Sequence, residues 1–366
     1  MSLKVPDYIS CITPYVPGKP IEELEREYGI DNSIKLASNE NPLGPSPLAV
    51  KAIKESMSKL HRYPDGSGFY LVEKLSQKLN IPRGNFVLGN GSDDIIGMLS
   101  RVFLQPGDEV IIPKPSFLMY KIAVQCTGAE GIYIPLKSLN IDLEGIKNAV
   151  TSMTRMIFIC NPNNPTGKII SRENFEKFIK EIPQDIIIVI DEAYIEFVRD
   201  IECLQGIDFA ETGRNPGKNI VTLRTFSKAY GLAGLRIGYC ITSPEIANLL
   251  NRVRMPFNTS IPAQVGACAA LDDEIFLNKT IETVHQGLDF LYKSLENMGL
   301  EFFKTHANFF LIDVKRDSKE IFEKMLRQGV IVRSMTSYGF PEYIRINVGT
   351  FEENQKFVKA LKKALN

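Results

Sequence analysis

Residues 224–238 read Arg-Thr-Phe-Ser-Lys-Ala-Tyr-Gly-Leu-Ala-Gly-Leu-Arg-Ile-Gly, and the chemistry of that run centres on Lys228. A lysine amine is a nucleophile toward carbonyl carbon once burial or a nearby cation lowers its pKa. The hydroxyls of Thr225 and Ser227 precede it, and Arg236 follows; hydroxyls and a guanidinium are donors that suit a phosphate group. Most lysines are solvated surface residues, but few stand among two hydroxyls, three glycines and an arginine. A second anion cradle lies in Gly89-Asn90-Gly91-Ser92-Asp93-Asp94, just before the apolar Ile95, Ile96, Met98 and Leu99. Backbone amides at a helix start hold a dianion well. Because the two aspartate side chains would repel it, the contact falls to the N–H groups of Ser92 and Asp93, with Arg236 as the compensating charge. A plain N-cap is the simpler use of such a turn.

Asp191 directly follows the apolar run Ile186–Ile190. A carboxylate there is costly to bury unless it meets a cation or a donor; capping of the next turn is its structural alternative. Tyr194 adds an aromatic hydroxyl three residues on, and Asn161-Pro162-Asn163-Asn164-Pro165-Thr166-Gly167 ends another apolar run. That loop also reads as a rigid turn, since prolines and asparagines favour turns for local reasons. Arg333, after Val330-Ile331-Val332, and Arg345, within Tyr343-Ile344-Arg345-Ile346, carry planar forks suited to carboxylate or phosphate. Surface ion pairing is the commoner use of an arginine, yet both stand in apolar runs that point to a partly enclosed site.

These groups need a scaffold, and the pattern supplies one. Apolar runs at Phe86–Leu88, Val110–Ile112, Met156–Ile159, Ile186–Ile190, Ile220–Leu223 and Ile237–Cys240 alternate with helical segments, which reads as a parallel α/β sheet. In open sheets of this kind ligands lie beyond the carboxyl ends of the strands, which is where Asp191 and Asn161 fall. Ser46 and Pro47 signal a helix start before Leu48, Ile53, Met57 and Leu60, which share one face. Arg199 to Lys218 reads as a long connection. After Pro256 the character shifts: helical periodicity spans Ala263–Met298, then short strands at Phe309–Ile312, Val330–Val332 and Ile344–Ile346 alternate with helices in a smaller α+β unit.

The 366 residues are 44% apolar and balance 43 basic against 43 acidic side chains. Such a chain has no overall field for nucleic acid or an anionic membrane, so a small-molecule partner is expected. No stretch reaches the roughly 20 apolar residues that span a bilayer, and residues 1–20 lack a signal-peptide pattern. Six cysteines without a C-x-x-C pair suit reduced thiols and a cytosolic protein, not a metal site.

The Lys228 block, together with the Asn161 loop and the Asp191-Glu192-Ala193-Tyr194 run, resembles the pyridoxal 5'-phosphate (PLP) aminotransferases of fold type I. The resemblance implies a large domain with a mostly parallel sheet flanked by helices, and a smaller α+β C-terminal domain. It places an N-terminal segment (1–35) against the small domain, the PLP-binding domain at 36–259 and the small domain at 260–366. It also implies roles: Lys228 bonds covalently to the cofactor and shuttles the proton, and Asp191 pairs with the pyridine nitrogen. Asn161 and Tyr194 donate to the ring oxygen, and Phe117 stacks on the ring. Gly91, Ser92, Asp93, Thr225, Ser227 and Arg236 hold the phosphate.

Thr13-Pro14-Tyr15, Ala37-Ser38-Asn39-Glu40-Asn41-Pro42, Arg62-Tyr63-Pro64-Asp65 and Arg345-Ile346-Asn347-Val348-Gly349-Thr350 narrow the likeness to the histidinol-phosphate aminotransferases, over nearly the whole chain. That family moves an amino group between L-glutamate and imidazole-acetol phosphate, giving 2-oxoglutarate and histidinol phosphate. By resemblance Tyr15, Tyr63, Arg333 and Arg345 bind substrate phosphate and glutamate carboxylates, with Asn39 and Asn161 beside them. Tyr63 reaches the cofactor and substrate from a partner subunit, which implies a homodimer with shared sites. A threonine-phosphate decarboxylase and an aromatic or broad-range aminotransferase share these motifs and stay open as alternatives. A transcription regulator with this domain would need a DNA-binding module for which the chain has no room.

Overall fold

The computed structural model describes residues 3–15, 18–210 and 217–366. After the short β1 (Ile34–Lys35), the strands β2 (Phe86–Gly89), β3 (Glu109–Lys114), β4 (Glu130–Pro135), β5 (Thr154–Cys160), β6 (Ile187–Asp191), β7 (Asn219–Thr225) and β8 (Gly238–Thr242) follow in chain order. The last seven form one sheet in the order β2-β8-β7-β6-β5-β3-β4. β8 runs antiparallel to β2 and β7, and the other neighbours pair in parallel. Unbroken apolar runs make these strands because alternate side chains need cover on both faces. Met156, Phe158, Ile187 and Val189 enter one core cluster, and Ile157, Ile159, Ile188 and Ile190 enter the cluster opposite.

Strand β4 escapes the sequence pattern because it lies at the sheet edge and none of its residues is fully buried. The connection expected over Arg199–Lys218 includes a short helix at Ile207–Ala210; residues 211–216 of it lie outside the described residues.

The second unit holds β9 (Glu301–Phe303), β10 (Phe309–Asp313), β11 (Val330–Ile331), β12 (Arg333–Ser334) and β13 (Tyr343–Asn347). Four of these form an antiparallel sheet, β12-β13-β10-β9, while β11 pairs in parallel with β1. What the sequence presents as one run, Val330–Val332, is therefore a hand-over between two sheets. Leu24 and Ala37 pack with Leu326 and Ile331, so the N-terminal segment shares a core with this unit.

Helical periodicity over Ala263–Met298 resolves into two helices, Ile261–Asp272 and Glu274–Asn297. The longer covers the small sheet through Val284, Leu288, Leu291 and Leu295. The shorter packs on helix Pro47–Ser56 and buries Ala263, Ala267, Ala270 and Leu271 with Leu88 and Phe226. The core of the large sheet thus continues past the expected boundary at residue 259, to Asp272. Small residues permit it: a Cβ on Gly266 would lie 3.1 Å from Ile53 Cδ1.

Ser46 caps helix Pro47–Ser56 by accepting from Ala49 N–H at 3.2 Å. Of the apolar face expected of this helix only Ile53 turns inward, toward Gly266; Leu48, Met57 and Leu60 are exposed, as are Tyr63, Phe69, Tyr70 and Phe257. Among the described residues no helix is long and apolar enough to cross a membrane.

Candidate active site

The carboxyl ends of β5, β6 and β7 deliver Cys160, Asp191 and Thr225 to one cavity, lined also by Ser92, Asp93, Phe117, Asn164, Tyr194, Ser227, Lys228 and Arg236. A second cavity adjoins it, sharing Phe117, Asn164, Tyr194 and Lys228 and adding Tyr15, Asn39, Arg333, Tyr338 and Arg345. Lys228 stands where the two meet. Its Nζ donates to Ser38 O at 3.1 Å and lies 5.8 Å from the Tyr194 ring centroid. Burial pushes the amine down to about 8, helped by the Arg345 and Arg236 cations and opposed by Glu40 and Asp93.

Asp191 is 3% exposed. Tyr120 Oη donates to its Oδ2 at 2.6 Å and Ala193 N–H to its Oδ1 at 3.1 Å. Burial raises its carboxyl to about 6, against those two bonds and with the added repulsion of Asp93 and Glu192. A carboxylate held this way favours a cationic partner in the cavity. Tyr120 is a site residue that the sequence did not disclose; it sits in an apolar helix, Leu118–Gln125, and stacks on Phe158 at 4.4 Å like any core aromatic.

Tyr194 Oη accepts from Asn39 Nδ2 at 2.9 Å and from Asn164 Nδ2 at 3.3 Å. Two donors aimed at the oxygen leave its own proton for a third partner, and burial pushes the phenol pKa up.

Asn161 is a correction. It does not line either cavity: its Nδ2 donates to Leu204 O at 3.0 Å and its Oδ1 accepts from Ile170 N–H at 2.8 Å, so its amide is used in holding the loop. Asn164, three residues on in the same loop, takes the place at the cavity wall.

The anion cradle has the expected parts. Helix Ser92–Phe103 starts after Gly91 with no side-chain cap, so its first N–H groups face the cavity. Gly91 adopts φ 79°, and a Cβ there would lie 2.5 Å from Arg236 Nη2. Thr225 Oγ1 donates to Ser227 Oγ at 3.0 Å, Arg236 Nη1 reaches the same Oγ at 3.5 Å, and Arg236 Nη2 lies 3.4 Å from Asp93 Oδ2.

In the second cavity, register pairs Arg333 with Arg345 across β12 and β13. Arg345 is 6% exposed and donates to Asn164 Oδ1 at 2.6 Å and Ala37 O at 2.9 Å. Its Nε is buried without a partner, and among the described residues it forms no ion pair. The Arg333 guanidinium lies 6.0 Å from the Tyr15 ring centroid. Asn39 is held by Asn347 Oδ1, which accepts its N–H at 3.0 Å. Tyr63 is not at the site of its own chain: it is 81% exposed and stacks on Phe257 at 4.7 Å.

The residue set fits PLP: a lysine of lowered pKa, a buried carboxylate for the ring nitrogen, a phenol with a free proton, and a glycine-opened cradle for the phosphate. Fold and site define a fold-type-I enzyme of amino-group chemistry. The Aminotransferase class I and II family matches residues 31–361, and the chain belongs to that family.

Among curated relatives, histidinol-phosphate aminotransferase of Desulfotalea psychrophila is 47% identical, over 100% of this chain and 96% of that protein. The protein of the same name from Moorella thermoacetica is 44% identical, over 99% and 93%. The crystal structure of histidinol-phosphate aminotransferase from Sinorhizobium meliloti in complex with pyridoxal-5'-phosphate superposes with a TM-score of 0.91 at 26% identity, covering 100% of this chain and 98% of that one.

Proposed function

We propose that the protein is a PLP-dependent aminotransferase that moves an amino group between L-glutamate and imidazole-acetol phosphate, reversibly giving histidinol phosphate and 2-oxoglutarate. The observation that carries this reading is the continuous cavity in which Lys228 faces the Arg333–Arg345 pair. Full-length identity of 44 and 47% with two histidinol-phosphate aminotransferases supports it.

When bound, the cofactor supplies an electron sink that lets the Cα–H bond of the amine substrate ionise. The protein does the rest. Lys228, with its pKa brought down to about 8, holds the cofactor covalently and, once released by substrate, takes the Cα proton on Nζ. Asp191 supplies the carboxylate for the ring nitrogen, oriented by Tyr120 and Ala193. Tyr194 and Asn164, in the cavity wall, would donate to the ring oxygen, and Phe117 would lie against the ring face. The N–H groups of Ser92 and Asp93, with Thr225, Ser227 and Arg236, would hold the cofactor's phosphate and so keep the ring in register. Arg345 and Arg333 bind the anionic groups of the substrates, with Tyr15 and Asn39 beside them.

The assembly in this reading is a cytosolic homodimer. Exposed Leu48, Met57, Leu60, Tyr63, Phe69 and Phe257 supply apolar surface that a second copy would cover, and Tyr63, remote from its own site, would serve the partner's. The six cysteines are free thiols, which suits a reducing compartment.

The test offers the cofactor-loaded protein 2-oxoglutarate with histidinol phosphate, threonine phosphate or phenylalanine. Glutamate formation fastest with histidinol phosphate is expected; preferred turnover of either rival, or CO2 release from threonine phosphate, would overturn the substrate.

A further inference from the structure

Tyr338 ends a one-turn 3-10 segment, Thr336–Tyr338, between β12 and β13. It is 8% exposed and its ring packs on Leu311 and Met335, which fixes its direction. The residue lines the substrate cavity with Tyr15, Arg333 and Arg345. Among the described residues its hydroxyl has no hydrogen-bond partner, and its oxygen is not among the atoms sealed from the cavity, so it is free to donate to a ligand there. Burial raises its pKa, and the Arg345 and Arg333 cations both oppose that rise, which puts the hydroxyl within the field of the two guanidinium groups.

Opposed like charges on neighbouring strands repel unless an anion lies between them. A planar carboxylate is met by one guanidinium fork. A phosphate is tetrahedral, and with two oxygens on a fork it still presents a third out of that plane. A donor beside the fork is what that oxygen needs. We propose that Tyr338 is a specificity-determining residue whose hydroxyl donates to the substrate phosphate, favouring the phosphorylated amine over glutamate at the same site. The inference rests on the reading of Arg333 and Arg345 as the anion-binding pair.

Histidinol phosphate and L-glutamate react with the same cofactor-loaded form, so single-turnover kcat/KM for each, followed by loss of the cofactor's visible band, separates the two. Tyr338→Phe keeps the ring and removes only the donor. The ratio of kcat/KM for histidinol phosphate over glutamate should fall about tenfold, in keeping with loss of one bond to a charged group. Inorganic phosphate, as a competitive inhibitor against glutamate, should weaken in parallel. An unchanged ratio, whether both rates fall together or neither does, would leave Tyr338 as packing only and overturn the proposal. Arg333→Ala in the same assay keeps the two ideas apart. If it fails to lower the ratio while Tyr338→Phe does, Arg333 loses its phosphate role and the Tyr338 assignment stands with Arg345 as the sole fork; if Arg333→Ala alone lowers it, the Tyr338 assignment fails.

Discussion

At the scale of single residues, the chemistry depends on environments that the sequence does not spell out. Lys228 is legible as a nucleophile from the hydroxyls and arginine of its own segment. The cause of its lowered pKa is not, because burial comes only with the fold and the Arg345 cation arrives from a strand more than a hundred residues away. The neutral amine is the form that captures cofactor. Capture of PLP by cofactor-free protein should therefore rise with pH and level off above about 8, not near the ordinary lysine value of 10.5. Arg345→Leu removes a cation that disfavours the ammonium form, so the folded pKa must rise and the midpoint must move to higher pH. Stopped-flow absorbance against pH measures both; a midpoint unmoved by the variant would exclude the arginine as a cause. The Asn161 loop shows the opposite limit. Two of its asparagines lie three residues apart, and local pattern cannot say which amide the turn consumes and which it presents. The structure gives Asn161 to Leu204 and Ile170, and Asn164 to the cavity.

At the scale of elements, buried strands were legible because two-sided burial demands unbroken apolar runs, and the edge strand β4 was not because its burial is partial. Helix Ile261–Asp272 hid its allegiance for a related reason: small apolar residues run all round it, so no stripe tells which sheet it will cover. The turn into helix Ser92–Phe103 was legible from its glycines, and one of them has a measurable task. Gly91 has φ 79° and ψ 168°, a region open almost only to glycine, at a cost to other residues of about 1–3 kcal/mol. Its added Cβ would also displace Arg236. Gly91→Ala should weaken cofactor affinity by about tenfold or more, since each 1.4 kcal/mol is a factor of about ten. Titration of the cofactor-free variant with PLP measures it, and wild-type affinity would show that the cradle does not depend on this backbone. The same two strands that carry Asp191 and Thr225 are clamped by Glu192, fully buried, and Arg224, 12% exposed, 2.9 Å apart. Removing one partner of such a pair costs about 3–5 kcal/mol. Arg224→Met should accordingly lower unfolding free energy by that amount in denaturant titration; a loss below about 1 kcal/mol, the range of exposed pairs, would argue against it.

At the scale of the whole molecule, the apolar face of Leu48, Met57 and Leu60 was readable as a helix face but not as an uncovered one, since periodicity reports a stripe and not what lies against it. The dimer reading uses that surface and the exposed Tyr63. Mixing an inactive Lys228→Ala parent with a Tyr63→Phe parent, after subunit exchange is confirmed, should raise activity above the mean of the parents, because one site per hybrid escapes both changes. Exchange with no gain would return Tyr63 to its own chain. The central claim is that two opposed arginines at the end of the lysine cavity receive the phosphate tail of the amine substrate. It is tested most directly by comparing kcat/KM for histidinol phosphate and unphosphorylated histidinol, in the wild-type protein and in Arg333→Ala. The account predicts a preference for the phosphate ester of at least about a hundredfold in the wild type, as expected when the buried Arg345 and its neighbour lose the anion they bind, and loss of most of it in the variant. Equal rates for the two amines in the wild-type protein would contradict it.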